Sequence, residues 1–414
     1  MVGPVVSVVG TRRPPLGSGP GELLGMLRRG EAGSRSDLVR LTGLAASTVS
    51  GRVQALVREG YVREDGVAAS TGGRPARRLE FRSDAGVVAA AEIGSEHLRL
   101  ALADLAGHRL STVELPLDIA TGSDAVVSLI GACVLDQIRL CGQEPGSLAA
   151  IGVGLPAPVE AGTGRIVLPA HMPGWDGSDI VGLLRRWAAS AGLSSDLPLV
   201  VGNDADLMAV AEHVEQAAGG ADVEHLLAVR LGRRIGCGII SSGVLHVGAA
   251  GGAGEIAHTS VAGRPAIACA CASPNCLEAV ASGGALVARL AAEGGPTVTP
   301  EELVALARDS DPAASRLLRE AGSAIGDVLA LVLNFFNPQV LVLGGALSQA
   351  APLIAAVRGR VYENCLPLVT RDLQVVVSSA GPDAGVRGIF ALLLDRVLDP
   401  VEVDRRVGFP LLAG

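Results

Sequence analysis

Between Gly254 and Glu278 the chain reads GEIAHTSVAGRPAIACACASPNCLE, and this stretch limits what the rest can be more than any other. It holds His258, Cys269, Cys271 and Cys276, which are three of the seven cysteines and one of the seven histidines. Thiolate sulfur and neutral imidazole are the ligands of tetrahedral Zn²⁺, and structural sites of the Cys₃His kind are closed to water. A Cys-x-Cys pair reaches a metal only from a tight loop, and Pro274 and Asn275 suit a turn that returns Cys276 to it. The spacing predicts a structural zinc site; the competing reading is a set of small apolar cysteines at a core edge. Glu255 lies three residues before His258, so on a helical turn both face the same way, and Glu278 follows Cys276 by two. Two carboxylates held near each other can accept hydrogen bonds from the hydroxyls of a polyol. The alternative is that both are solvated surface acids.

A chain of 414 residues is long enough for two or three domains with substantial cores. Hydrophobic residues make up 49% but aromatic ones only 2%, so those cores must be aliphatic. All 34 basic residues are arginine, and the net charge of -8 is unevenly spread. Residues 21–82 hold 11 Arg against 7 acids, whereas residues 83–414 hold 21 Arg against 35 acids. A basic head on an acidic body is the charge distribution of a DNA-binding module joined to a body that does not touch DNA. The opening MVGPVVSVVGTRRPP places its arginines after a short apolar run, the wrong order for a secretory signal. A membrane span needs ~20 predominantly apolar residues. The longest uncharged stretch, 328–357, is broken by Asn334, Asn337-Pro338-Gln339 and Gly344-Gly345, so it is expected to be buried core, with no membrane partner. An odd number of cysteines, four of them scattered (Cys133, Cys141, Cys237 and Cys365), fits a reducing cytoplasm rather than a disulfide framework.

Residues 1–20 are rich in Gly and Pro and are expected to form a disordered tail. Leu23, Leu24 and Leu27 then mark a first helix that Gly30 ends. Ser34 with Asp37 three residues on is a capping signal for a second helix, Arg35–Leu41, and Thr42-Gly43-Leu44 is its turn. A third helix, about Ala46 to Glu59, buries Val49, Val53, Leu56 and Val57. Its other face shows Ser47, Ser50, Gly51, Arg52 and Gln54, small and polar side chains suited to a major groove. With Thr48 and Arg35 these are the expected DNA contacts. Tyr61 to Leu79 is expected to form a two-stranded wing around Gly72-Gly73-Arg74-Pro75, making residues 21–82 a winged helix-turn-helix domain. On periodicity alone an ordinary three-helix bundle stays open.

The sequences EIAH at 255–258 and CACASPNCLE at 269–278 resemble the E-x-G-H and C-x-C-G-x-x-G-C-x-E signatures of the ROK family (repressors, open reading frames and sugar kinases). Ala257, Ala272 and Asn275 replace family glycines. The stretch TGLAASTVSGRVQALVREGYV and the GGRP element resemble the amino-terminal domain of ROK regulators, so the likeness covers nearly the whole chain. It implies a multidomain protein: an all-α winged helix-turn-helix head on an α/β actin-like body, ribonuclease H-like and duplicated. The implied divisions are a small lobe at 83–200, a large lobe with the zinc loop at 201–382, and a carboxy-terminal segment, 383–414, whose helix packs back on the small lobe. The resemblance further implies that His258 and the three cysteines bind zinc, and that Glu255, His258 and Glu278 line a sugar site. It places Arg74 in the minor groove, where a planar, weakly hydrated cation meets concentrated negative potential. Ala45 stands where the family prefers a serine N-cap.

The family's kinases carry nucleotide-binding elements that this chain keeps unevenly. Glu92-Ile93-Gly94-Ser95-Glu96 stands for D-x-G-G-T, whose glycines let backbone N–H groups approach a phosphate; here a glycine and the threonine are gone and Glu96 adds negative charge. Gly232-Arg233-Arg234-Ile235-Gly236 stands for G-T-G-I-G, and only the Gly344-Gly345 strand end is intact. Asn203-Asp204 matches the sugar-kinase N-D, in which the aspartate is the general base. With its phosphate loops eroded, the chain is expected to keep Asp204 as a vestigial base and a hydrogen-bond acceptor for sugar, beside Asn203. His171 stands where the kinases usually carry asparagine and is a further candidate sugar contact. The expectation is a sugar-responsive DNA-binding transcriptional repressor, a homodimer or homotetramer that takes a sugar or amino sugar and is not an enzyme. The alternative is an active ATP-dependent sugar kinase with an added DNA-binding head.

Overall fold

The computed structural model describes residues 19–67, 77–94, 96–167, 169, 172–261, 267–271 and 273–409. The head opens with α1 (Pro20–Arg28), where proline occupies the first turn and loses no hydrogen bond there. Helix α2 (Arg35–Thr42) is capped by Ser34, whose hydroxyl oxygen accepts from Asp37 N at 3.2 Å, and is closed by Gly43 at φ 69°. Helix α3 (Ala46–Arg58) starts at Ala45 with no side-chain cap. Strands β1 (Val62–Val67) and β2 (Arg77–Phe81) pair antiparallel as the wing. Arg74 lies outside the described residues, as does the segment 1–18.

The first lobe is a five-stranded sheet in the order β5-β4-β3-β6-β7. Its elements are β3 (Val87–Ile93), β4 (His97–Asp104), β5 (Arg109–Pro116), α4 (Ser123–Leu140), β6 (Leu148–Leu155), α5 (Ile180–Ser190) and β7 (Leu199–Asn203). Strands β3, β4 and β5 form an antiparallel meander, while β6 and β7 run parallel to β3. Every residue of β3 is buried because both of its faces are covered. Val87, Ala89 and Ala91 face the α4–α5 layer with Trp175, and Val88 and Ala90 face the opposite core.

Helix α6 (Asp204–Ala218) leads out of β7 to the second sheet, ordered β10-β9-β8-β11-β12. It contains β8 (Leu226–Leu231), β9 (Ile235–Ser241) and β10 (Val244–Leu245), followed by α7 (Leu277–Ala281), α8 (Gly283–Ala292), α9 (Pro300–Arg308) and α10 (Pro312–Phe336). Then come β11 (Val340–Gly344), α11 (Ala351–Asn364), α12 (Pro367–Thr370) and β12 (Gln374–Val377). Helix α10 has 25 residues and spans most of the uncharged run as far as Asn337, which ends it at φ 51°. Among the described residues no helix is long and apolar enough to cross a membrane.

The last two helices divide their work. Helix α13 (Ala384–Val397) lies against α6, β3 and β6, and it does so at glycines. A Cβ at Gly388 would come within 2.0 Å of the Leu207 carbonyl oxygen, and one at Gly385 within 2.5 Å of Glu92 Cδ. Helix α14 (Pro400–Arg406) instead meets the head: Asp404 Oδ1 accepts from Gly21 N at 2.7 Å and Arg58 donates to the Val407 carbonyl at 3.3 Å. One buried cluster therefore runs from Leu24, Val53 and Leu56 through Val403 and Val407 to Ile389 and Leu207.

That docking corrects one expected DNA contact. The Arg52 guanidinium lies over the Phe409 ring, 5.3 Å from its centroid, and its Nε and Nη1 are buried. A cation against an aromatic face is a stabilising use for the side chain, and it turns Arg52 toward the carboxy terminus rather than outward. The sequence of α3 contains no sign of this, because the partner ring comes from the far end of the chain. Replacing Gly388 with alanine is expected to force α13 off α6 and lower stability by about 1–3 kcal/mol, the usual cost of overpacking. A reduced urea midpoint for the body checks it.

Candidate functional site: a metal-ligand cluster beside an interlobe cleft

A glycine that nothing can replace sets the course of the 254–278 segment. Gly254 has φ +87°, and a Cβ there would sit 1.9 Å from the Cys237 carbonyl oxygen. The chain then makes a 3-10 turn, Ile256–His258, and pairs with the return segment: Val261 N donates to Asn275 O at 2.8 Å and Leu277 N to Thr259 O at 2.9 Å. This places His258 beside Cys276. Asn275, in the position of a family glycine, adopts φ 57°, a region that asparagine tolerates better than most side chains. Its Oδ1 also accepts from Ile267 N at 2.6 Å, closing the loop that carries the other two cysteines.

The ligand atoms of His258, Cys269, Cys271 and Cys276 all lie within 4.8 Å of one another. Cys271 Sγ and Cys276 Sγ are 3.9 Å apart, whereas two sulfurs on a tetrahedral zinc, each ~2.3 Å from it, are separated by about 3.8 Å. His258 Nδ1 is buried and has no hydrogen-bond partner, an orphan that a ligated or second-shell role would explain. Without a cation, burial pushes the Cys276 thiol up to about 12. Three sulfurs and an imidazole gathered this closely can hold a metal ion, and the donor set suits a soft or borderline one.

The cleft between the two sheets begins at the start of α6. Asn203 caps that helix, its Oδ1 accepting from Ala205 N at 2.8 Å, and its Nδ2 donates to the Ala157 carbonyl at 3.1 Å. Most of its hydrogen-bonding capacity is thus spent on structure. Asp204 is ion-paired with Arg230 of β8, and Glu92 of β3 lies 3.8 Å from the same guanidinium. Asp204, followed by Glu92, holds the Arg230 pKa above its ordinary value against the effect of burial. Burial is the main cause that raises the Glu92 carboxyl, which is 4% exposed. Glu255 reaches solvent but is recessed in the cleft. Loss of hydration raises its carboxyl, His258 opposes this and Asp204 adds to it.

Glu278 is buried, and its Oε2 accepts from Ile235 N at 2.9 Å, so it ties α7 and the metal-ligand loop to the β8–β9 turn. Burial raises its carboxyl, with the Ile235 N–H and Arg234 opposing. A cavity of ≈ 970 Å³ opens at this junction, lined in part by Glu96, Arg233, Arg234, Cys269, Glu278 and Arg289. The structure brings Asp204, Glu255, His258 and Glu278 into one electrostatic neighbourhood; His171 lies outside the described residues. On the head, Ser47, Ser50 and Gln54 are exposed on α3 and Thr48 is half-buried. Arg35 is ion-paired with Glu64 of the wing.

Two residues of the cleft escaped the sequence reading, Arg230 and Asp206. The signal for Arg230 was present, since a charge inside the otherwise apolar strand LLAVRL is rarely buried without a partner. Asp206 is 9% exposed, and burial, then Asp204 and Glu255, pushes its pKa up to about 8. A carboxyl raised on folding favours the folded state most below its unfolded pKa, and that contribution disappears as pH climbs toward 8. Asp206→Asn is expected to flatten the loss of thermal stability between about pH 4 and pH 8, as melting curves across that range can measure.

Comparison with known proteins bears on both parts of the chain. The ROK family profile matches residues 88–396, and an IclR helix-turn-helix profile matches residues 21–66. The chain is similar to a xylose repressor of Caldicellulosiruptor bescii, 24% identical over 379 residues that cover 88% of this chain and 92% of that one. It is similar also to an N-acetylglucosamine repressor of Escherichia coli, 27% identical over 381 residues covering 89% and 90%. Among solved structures, a ROK family transcriptional regulator described as a homolog of the E. coli MLC protein superposes with a TM-score of 0.76 at 24% identity. That superposition covers 94% of this chain and 98% of the other. With a helix-turn-helix head joined to a two-lobed α/β body that the family profile matches over most of its length, the chain belongs to the ROK family.

Proposed function

We propose that this protein is a cytoplasmic, sugar-responsive transcriptional repressor that binds operator DNA as a dimer or tetramer. The observation that carries the reading is the single buried cluster joining the head to the body through α14 and α13. A head on a loose tether would be indifferent to the state of the body. This one is packed against the same helices that border the cleft. Relatives named as repressors align with both head and body, which supports the same conclusion.

In this reading α3 enters a major groove with Ser47, Thr48, Ser50 and Gln54 toward the bases, and Arg74 reaches the neighbouring minor groove. Arg35 fixes the wing against α2 through Glu64. Two heads related by a two-fold axis would read two half-sites. The effector would be a sugar or amino sugar, with Asp204 and Glu255 accepting from its hydroxyls, assisted by Asn203, His171, His258 and Glu278. A structural zinc on His258, Cys269, Cys271 and Cys276 would supply a fixed centre that holds the loop carrying Glu255 and Glu278. Phosphoryl transfer depends almost wholly on positioning and charge stabilisation. Here Asp204 is engaged by a guanidinium and Glu96 stands where a phosphate would lie, so we infer that kinase activity has been lost.

A thermal-shift screen with D-xylose, N-acetylglucosamine and related sugars, followed by operator mobility shifts with the hits, tests the proposal. A sugar that stabilises the protein and changes its DNA affinity is the expected result, and Gln54→Ala should weaken operator binding without altering sugar binding. Robust ADP release that Asp204→Asn abolishes would replace this reading with the kinase one. Stripping the metal with a chelator, or changing Cys271 to serine, is expected to lower the melting temperature and abolish the sugar response together. Metal content by mass spectrometry is the accompanying measurement.

A further inference from the structure

Two ion pairs cross the cleft where the turns of the two sheets face each other. Arg230 leaves β8, the middle strand of the second sheet, and reaches Asp204 at the end of β7 and Glu92 on β3 of the first. At the rim, Arg233 of the β8–β9 turn meets Glu96 of the β3–β4 turn at 3.1 Å. All the acids are on one lobe and both arginines on the other. These are the turns in which the chain departs from the phosphate-binding glycine pattern, so opposite charges now face each other across the space between them.

The two pairs are unequal. The Arg233–Glu96 side chains are 49% and 78% exposed, and water and salt screen such a contact heavily. The Arg230–Asp204 side chains are only 33% and 13% exposed, and Glu92 has a buried oxygen, Oε2, with no hydrogen-bond partner. Removing the guanidinium would leave buried carboxylates uncompensated, which is far more costly than losing a surface pair. The acceptor side is also rigid. Glu92 is wedged against Gly385, and Asp204 is the first residue of a helix capped by Asn203. The side free to move is the long arginine.

We propose that Arg230 is a latch between the lobes, and that a ligand using Asp204 as its acceptor must displace it. The second half of this inference rests on the reading of Asp204 as a sugar contact; the first half does not. A polyol hydroxyl and the guanidinium donate to the same carboxylate, so occupancy and closure compete. Differential affinity for the open state is what lets a ligand move the lobes at all. Arg230 is thus a positioning residue that acts through Asp204, and it sets how much of the protein is competent to bind.

The test uses the full-length protein. Without any sugar, Arg230→Gln is expected to raise amide exchange at residues 231–236 and 96–98 about tenfold or more, since local opening governs exchange, and to enlarge the radius of gyration in solution scattering. Arg230→Lys, which keeps the charge, should stay close to the parent. Asp204→Asn should open the same segments, and the double variant should open them no further. If Arg230→Gln misfolds, the Asp204→Asn protein alone decides the matter. Unchanged exchange in these variants, or equal opening in Arg230→Lys, would overturn the latch. With D-xylose and N-acetylglucosamine as probes, Arg230→Gln should bind about fivefold tighter or more, because the apparent affinity scales with the competent fraction. Binding lost in Asp204→Asn but unimproved in Arg230→Gln would overturn the competition. Binding unaffected by both, with exchange raised as expected, would sink the Asp204 sugar contact and uphold the latch.

Discussion

The close packing of α6 against α13 is the contact on which the remaining structure depends. It is a backbone-level approach, permitted because Gly388 leaves room for the Leu207 carbonyl and Gly152 leaves room for Ile389. Helix α6 carries Asp204 at its first residue and lies under the second sheet, while α13 lies on the first sheet and continues into α14 at the head. Well-packed interiors transmit displacement rather than absorb it. A shift at the start of α6 therefore has a direct mechanical route to the DNA-binding helices, with no flexible linker among the described residues between them.

The cleft shows how one framework can exchange one chemistry for another. A phosphate site needs backbone N–H groups, small residues and positive potential from several directions. This chain has put Glu92 and Glu96 on one side and Arg230 and Arg233 on the other, and the charges satisfy one another. Nearby, the metal-ligand loop does not stand apart from the cleft. Glu278 joins it to the β8–β9 turn through the Ile235 N–H, so its order and the shape of the turn are coupled.

Much of this was legible in the sequence. The four metal-ligand residues were identified by type and spacing, and they converge because a return strand brings Cys276 beside His258. The helices of the head followed from apolar spacing, the Ser34 cap and the terminal glycines. The long helix was expected from Ala321 and in fact starts at Pro312, where Asp311 caps it through Ala314 N at 2.8 Å. The lead-in was missed because Arg316, Arg319 and Glu320 interrupt the apolar run. Asn203 looked like a sugar contact, and it is first of all a helix cap, a role that asparagine before a helix often has.

What the sequence determined by itself was local: which residues could ligate a metal, where helices begin and end, which turns had lost their glycines. These depend on neighbours within a few positions, and the physics of caps, turns and periodicity acts at that range. Only the tertiary structure decided that Arg52 packs on Phe409, that Arg230 occupies Asp204, and that α14 belongs to the head rather than to the first lobe. Each joins segments that are far apart in the chain. A side chain's charge and size fix what it can pair with, but which partner it meets is settled by how the whole chain closes.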